Sequence, residues 1–371
     1  MRIILDYRPA LRERTGVGEY VHELARALVE VTRARPDDRV VVFSSSWKDR
    51  FEAADLPGVE AVDARVPVRV LNCAWHRAGW PPIEALAGPA DIAHSAHPLL
   101  MPARRAAQVI TIHDLDFLSH PERTQREIRR DYPRFAREHA QRADLVVVSS
   151  QVTAAEVTRI LGVPDERVAL VPAGAPAWEP RAQTPVSGYF LFIGTLEPRK
   201  NIGALLAAYT RLLDRLPGAP PLHLAGKILD SSAAWLAQIG RPPLKDRVVR
   251  LGYVSPPQKR QLYEGALALL IPSLHEGFGL TALEAMTAGV PVIASRRGSL
   301  PEVLGDAALF VDPEDEQSIA HAMWRLATDS ARGRALAEAG RARAGAFSWT
   351  RSAEALRRAY DAALRRRRER A

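Results

Sequence analysis

A series of short, continuous, β-branched apolar runs, each separated from the next by a stretch of helical periodicity, constrains this chain more than any other feature. A strand buried on one face alternates apolar and polar residues. A run that is apolar throughout is buried on both faces, as in parallel strands covered by helices on each side. The runs predict strands at residues 2–6, 39–43, 91–94, 109–113, 145–149 and 168–172, and a second series at 189–194, 222–226, 248–252, 266–271 and 290–294. Residues 173–188 lie between the series, with Pro176, Pro180 and Pro185 and few apolar side chains, a composition suited to an extended connector. The expected architecture is α/β, with two Rossmann-like doubly wound domains facing a cleft. The domains are placed at residues 1–175 and 188–347, with a linker at 176–187. A helix at 348–371, capped by Ser348 and anchored by Trp349 and Leu356, is placed to pack back on the first domain.

A chain of 371 residues, 47% hydrophobic, supports two such cores. No apolar run approaches the roughly 18 residues of a membrane-spanning helix, and the apolar start at residues 1–5 is too short for a signal peptide, so a cytoplasmic location is expected. Cys73 is the single cysteine, which excludes an internal disulfide and a thiolate-rich metal site; it is read as inert packing. The net charge of +8 and pI near 9.9 point to an anionic partner: a phosphate-bearing substrate, an acidic membrane surface or nucleic acid. The basic run at 365–370 reads as a solvated, frayed end, with contact to anionic lipid as the competing reading.

The strongest chemical signal follows the buried run 266–271. After Pro272-Ser273-Leu274-His275 comes Glu276-Gly277-Phe278-Gly279-Leu280, then a helix at 281–288 that Gly289 and Pro291 terminate. The glycines let backbone amides approach a ligand, and the helix start adds unpaired N–H groups and the positive end of its dipole, which together make a phosphate cradle. Glu276 and Glu284 stand where both carboxylates can accept paired hydroxyl donors from one ligand. A dipole partner for Glu276 and a solvent-facing Glu284 are the plainer readings. Gly194-Thr195-Leu196-Glu197-Pro198-Arg199-Lys200-Asn201 also follows a buried strand. It aims Arg199 and Lys200, a pair suited to a diphosphate, from the strand end toward a helix that Asn201 can cap; an ordinary charged turn is the alternative.

In the first half, Gly16-Val17-Gly18 opens a helix, lacks the third glycine of a dinucleotide fingerprint and follows too long a loop for one. It reads as a glycine segment admitting donor phosphate or sugar, with no nicotinamide site. His113 and Asp114 end another buried strand, where His113 either bonds a sugar hydroxyl or satisfies a neighbouring carbonyl. His94, His97, His113 and His120 lack the spacing of a metal site, and none is expected. Between residues 122 and 142 seven arginines face four acids, with Arg126, Arg130, Arg134 and Arg137 on one helical stripe that Pro133 kinks or divides. This face is either simply solvated or a contact for an anionic acceptor or membrane.

On these residues the chain resembles the retaining nucleotide-sugar glycosyltransferases of family four, and within them the bacterial mannosyltransferase-like group. The resemblance spans nearly the whole length, through Gly16-Val17-Gly18, residues 111–115, residues 194–201, and the Glu276 to Glu284 motif. It implies a B-type glycosyltransferase fold, and transfer of a sugar from a nucleotide diphosphate donor to a glycan or lipid-linked saccharide with retained anomeric configuration. GDP-mannose is the first donor it points to, ahead of other GDP-, UDP- or dTDP-linked sugars. It assigns Arg199 and Lys200 to the diphosphate, Glu284 to the ribose, Glu276 to the donor sugar, and Gly277, Phe278, Gly279 and Leu280 to sugar and phosphate. It places His113 near the transferred sugar and Gly16 and Gly18 near the phosphates. No metal or other cofactor and no nucleic acid is implied; peripheral contact with the inner membrane face remains a possible partnership of the basic stripe. Where many relatives carry an arginine this chain has Thr195, which leaves Arg199 to compensate. A nucleotide-sugar epimerase on a similar fold and a non-catalytic nucleotide- or nucleic-acid-binding protein are the competing functions.

Overall fold

The computed structural model describes every residue except Arg12, Glu13, Thr15, Thr124, Gln125, Val186, Ser187, Asp230, Ser231 and Ala371, and the backbone alone at residues 126–130. The chain divides into two compact units, one formed by Met1–Gly174 with Ser348–Ala371 and the other by Ala175–Phe347.

The first unit runs β1 (Arg2–Asp6), α1 (Gly16–Arg33), β2 (Arg39–Ser44), β3 (Glu60–Asp63), α2 (Val68–Ala78), α3 (Ile83–Ala87), β4 (Ile92–Ser95), β5 (Ala107–Ile112), α4 (Asp116–Ser119), α5 (Arg126–Arg142), β6 (Leu145–Val148), α6 (Gln151–Leu161) and β7 (Val168–Leu170). Its seven strands are parallel in the order β3-β2-β1-β4-β5-β6-β7. The second unit runs β8 (Tyr189–Ile193), α7 (Ile202–Arg215), β9 (Leu222–Ala225), α8 (Ala233–Ile239), β10 (Val248–Gly252), α9 (Pro256–Gly265), β11 (Ala266–Ile271), α10 (Leu280–Ala288), β12 (Val292–Ser295), α11 (Leu300–Leu304), β13 (Ala308–Val311), α12 (Glu316–Thr328) and α13 (Ser330–Ala344). Its six strands are parallel in the order β10-β9-β8-β11-β12-β13. The last helix, α14 (Trp349–Arg370), belongs to the first unit, where it packs along α1.

Central strands such as Ala107–Ile112 are buried along their whole length, as their unbroken apolar runs require. Two strands escape the sequence pattern, and both are sheet edges. β3 is half polar and largely solvent-facing, and β13 is only four residues long. β12 begins at Val292, one residue beyond Pro291, which has no N–H to give a ladder. α5 continues through Pro133 as one helix. Of the basic stripe expected there, Arg134 and Arg137 are exposed, while Arg126 and Arg130 lie outside the described side chains.

In both sheets the chain leaves the first strand, builds two strands to one side, then returns to the other side of that first strand. This produces a topological switch point between β1 and β4 in the first unit and between β8 and β11 in the second. Ligands of such sheets bind beyond the strand carboxyl ends at these points. Among the described residues, no helix is long and apolar enough to cross a membrane.

The basic C-terminal run departs from the expected frayed end. The helix holds to Arg370: Arg366 bonds the Glu166 carbonyl, Arg367 the Arg104 carbonyl at 2.8 Å, and Arg370 the Asp144 carboxylate at 3.4 Å. Donor-rich arginines here satisfy loop carbonyls of their own unit. Cys73 also departs from expectation, since it is exposed on α2 instead of packed.

Candidate active site

The second unit gathers its charged motif residues at the β8/β11 switch point. Gly194, just after β8, meets Gly226, just after β9, so closely that a Cβ on Gly226 would fall 1.9 Å from the Gly194 oxygen. Only glycine allows that crossing. Leu196 N then donates to the Lys227 carbonyl at 2.8 Å, which fixes the turn Pro198–Lys200 over the end of β11.

From that turn, Lys200 Nζ lies 2.6 Å from Glu276 Oε1, and Arg199 Nη1 lies 3.4 Å from Glu276 Oε2. Arg199 also donates to the His275 carbonyl at 3.0 Å and to Glu197 at 2.8 Å. The buried Ser273 hydroxyl donates to Glu276 Oε1 at 2.6 Å. The Glu276 backbone is clamped as firmly. Its carbonyl accepts from Ser299 N and Ser299 Oγ, each at 3.0 Å, and Gly298 (φ +58°) passes so near that a Cβ would sit 2.4 Å from the same oxygen. Burial alone would raise the Glu276 carboxyl, but the charges of Lys200 and Arg199 and the hydrogen bonds outweigh it and hold the pKa at about 2.

Glu284 stands on α10, only 5% exposed. One carboxylate oxygen pairs with the Lys259 ammonium and the other accepts from the Tyr263 hydroxyl at 2.8 Å. Lys259 and Tyr263 are one turn apart on α9. At the start of α10, Gly279 takes φ +99°, and the first helical bond runs from Ala282 N to the Gly279 carbonyl at 3.0 Å. The amides of Leu280 and Thr281 precede that bond and project from the helix end. Gly277 is buried, and Phe278 is anchored edge-to-face on Phe347.

Residues 181–343 match the family model "Glycosyl transferases group 1" and residues 14–177 match "Glycosyltransferase Family 4". The O-antigen chain mannosyltransferase B of Escherichia coli is 32% identical to this chain, over 94% of it and 96% of the relative. The chain belongs to the group 1 glycosyltransferases. In fold it resembles sucrose-phosphate synthase from Thermosynechococcus elongatus, with TM-score 0.78 and 22% identity over 97% of this chain and 98% of that one. It also resembles WaaG, a glycosyltransferase involved in lipopolysaccharide biosynthesis, with TM-score 0.72 and 18% identity over 95% and 98%. Both are glycosyltransferase structures, and the α/β two-domain fold is of the B type.

Within this glycosyltransferase, two readings from the sequence need correction. Glu284 does not face solvent: its short pairings with α9 bury it. Asn201 does occupy the N-cap position of α7, but its side chain makes no cap. At φ +60° it is turned away and donates to the carbonyls of Pro272 at 3.1 Å and Pro313 at 2.7 Å, tying the turn to the ends of β11 and β13. Asparagine tolerates that left-handed backbone better than most residues.

In the first unit, His113 is half-buried after β5. Its Nε2 donates to the Ala96 carbonyl at 3.2 Å, its ring meets Tyr20 edge-on at 5.1 Å, and burial lowers its pKa. The plainer role, satisfying a carbonyl, is therefore present in the structure. Gly16 and Gly18 lie in the first turn of α1. A Cβ on Gly18 would fall 2.7 Å from the Pro9 oxygen, so internal packing accounts for that glycine, while nothing lies within 4 Å of the corresponding position on Gly16. His94 is structural, bonded to Tyr360 at 2.7 Å and Thr111 at 2.8 Å. Among the described residues, no group of three metal-ligating side chains is present.

Sequence reasoning did not identify Ser273, Gly298, Ser299, Lys259 or Tyr263. Lys259 and Tyr263 carried a signal, a cation and a phenol at i and i+4 on the helix before β11. Ser299 carried none, because its contact spans twenty-three residues.

Proposed function

We propose that this glycosyltransferase transfers mannose from GDP-mannose to a glycan or lipid-linked saccharide with retention of anomeric configuration, without a metal ion, in polysaccharide biosynthesis. The observation that carries the reading is the Lys200–Glu276–Arg199 cluster at the β8/β11 switch point, beside the amides that open α10. The likeness to a mannosyltransferase over almost the full chain favours mannose.

The donor diphosphate exchanges places with part of this ion cluster. Lys200, Arg199 and the α10 amides stabilise the charge that grows on the leaving phosphate, and Glu276 then accepts hydroxyls of the donor sugar. Glu284, held by Lys259 and Tyr263, offers its carboxylate to the ribose diol. As the bond from the sugar anomeric carbon to phosphate oxygen breaks, its electron pair stays on the phosphate. The acceptor oxygen attacks the same face and its proton passes to that phosphate. His113 belongs to the same proposal, at the transferred sugar, as do Gly16 and Gly18, near the phosphates. Peripheral association with an anionic inner membrane face, in the cytoplasm, is part of the reading, supported by the +8 charge.

The test is a thermal-shift panel of GDP-, UDP- and dTDP-sugars, followed by NMR of the product made from the best donor. GDP-mannose is expected to raise the melting temperature most and to yield an α-linked product. An inverted linkage removes the mechanism, and a larger shift by another nucleotide removes the donor. Lys200→Ala and Glu284→Ala are expected to weaken GDP-mannose binding well over tenfold, about 2 to 4 kcal/mol of charge-assisted contacts. Wild-type affinity in either variant contradicts the site.

A further inference from the structure

The partners of Glu284 do more than bury it. An ionised carboxylate has about four lone-pair positions, shared equally by its oxygens. The Lys259 ammonium takes one on Oε1, and the Tyr263 hydroxyl takes one on Oε2 at 2.8 Å. One acceptor remains on each oxygen, and the two lie side by side in the carboxylate plane. Tyr263 acts here as a donor. Burial and the Glu284 charge push its hydroxyl well above the usual phenol range, and its single hydrogen goes to Glu284 at 2.8 Å in preference to the Thr281 carbonyl at 3.3 Å.

The frame behind these two bonds is fixed. Lys259 and Tyr263 stand one turn apart on one face of α9. Trp178 packs against both, its ring 5.8 Å from that of Tyr263 and its centroid 6.0 Å from the Lys259 ammonium. Arg260 donates to the Glu179 carbonyl at 3.3 Å, which ties the segment carrying Trp178 to the same helix. Tyr263 is fully buried and Glu284 nearly so, and turning the carboxylate would break charge-assisted bonds in dry surroundings. Glu284 is therefore preset for a ligand that offers two adjacent hydroxyls. A ligand with one would leave a desolvated acceptor unpaired, a loss of roughly five- to a hundredfold in affinity. On α10 Glu284 lies four residues beyond Leu280, on the same face as the amides that open the helix. The diol it accepts then belongs to the sugar next to the diphosphate, the ribose of the nucleotide.

We propose that Lys259 and Tyr263 are positioning residues that hold the two remaining acceptors of Glu284 toward a 2′,3′-diol, and that this fixed pair makes the enzyme select ribonucleoside diphosphates over their 2′-deoxy analogues. Donors linked to dTDP are excluded on this ground, whatever sugar they carry. The selectivity rests on the glycosyl-transfer reading above, in which Glu284 meets the ribose. A tie serving only to hold α9 against α10 would use the same bonds, but it would not tell one hydroxyl from two.

Titration calorimetry of the full-length protein with GDP and, separately, with 2′-deoxy-GDP tests this. The wild type is expected to bind GDP at least about tenfold more tightly. Tyr263→Phe keeps the ring against Trp178 and removes only the hydroxyl, while Lys259→Met removes the ammonium. Each is expected to weaken GDP more than 2′-deoxy-GDP, so that the preference falls at least about fivefold. A purely structural tie would lower the melting temperature and leave the preference as it was. An unchanged preference in folded Tyr263→Phe overturns the proposal, as does a wild type that binds the two nucleotides equally; Tyr263→Phe decides alone if Lys259→Met does not fold. If the wild type binds UDP and not GDP, only the base of the donor falls, and UDP with 2′-deoxy-UDP carries the same comparison. Failure of the wild type to bind either ribonucleotide overturns instead the donor reading beneath it.

Discussion

A carboxyl buried as deeply as that of Glu276 ionises reluctantly by itself, and only the two cations from the 198–200 turn and the Ser273 hydroxyl make it a carboxylate. Its folded pKa, about 2, lies below the ordinary 4.5. The unfolded chain therefore takes up the proton first as pH falls. The stabilisation is fully present above about pH 4.5 and lost between there and about pH 2, on the order of 3 kcal/mol. Denaturant unfolding across that window is expected to show wild type losing more stability than Glu276→Gln, which has no proton to gain. Equal slopes would mean the carboxylate is not held as described. The position of Glu276, after a buried strand and before glycines, was legible in the sequence. Its pairing with Lys200 was not, because the two are seventy-six positions apart and meet only when β8 and β11 lie side by side.

At the scale of elements, the loop after β12 is as much a part of the candidate site as the helix after β11. Gly298 and Ser299 hold the Glu276 carbonyl, and Gly298 does so at φ +58° with no room for a side chain. Gly298→Ala is expected to destabilise the protein by about 1 to 3 kcal/mol and to weaken GDP-mannose binding together with it. Melting temperature and titration calorimetry check both, and an unchanged melting temperature would contradict the close approach. Most strands were readable because two-sided burial writes an uninterrupted apolar run. The edge strands β3 and β13 were not, β3 because it is half polar and solvent-facing, β13 because its buried apolar run is only four residues long. The helix carrying Glu284 was readable from its stop signals, Gly289 and Pro291. The face it turns to α9 was not, since a single buried glutamate looks the same in sequence as a solvated one until Lys259 and Tyr263 are beside it.

At the scale of the whole molecule, α14 returns after the second unit to complete the first. Tyr360 is fully buried there, bonded to His94, and Trp349 meets Tyr20 edge-on at 5.6 Å. Gly174 makes the crossing possible, since a Cβ would fall 2.2 Å from Trp349 N. Tyr360→Ala is expected to destabilise the first unit by about 3 to 5 kcal/mol, and Tyr360→Phe by less, through the loss of the His94 hydrogen bond alone. Chemical denaturation of both variants checks this. Equal losses would assign the effect to the hydroxyl, against the burial of the ring.

The sequence by itself determined the α/β class, the parallel strands, the two strand–helix series and the placement of Arg199, Lys200 and Glu276 just beyond strand ends, with Glu284 on the helix that follows. These depend on local patterns: apolar runs, glycine positions and residues at strand ends. Only the tertiary structure decided that Lys200 and Glu276 neutralise each other and that Lys259 and Tyr263 bury Glu284. Sheet order sets which loops become neighbours, and a buried charge takes its partner from across the sheet, however distant that partner is along the chain.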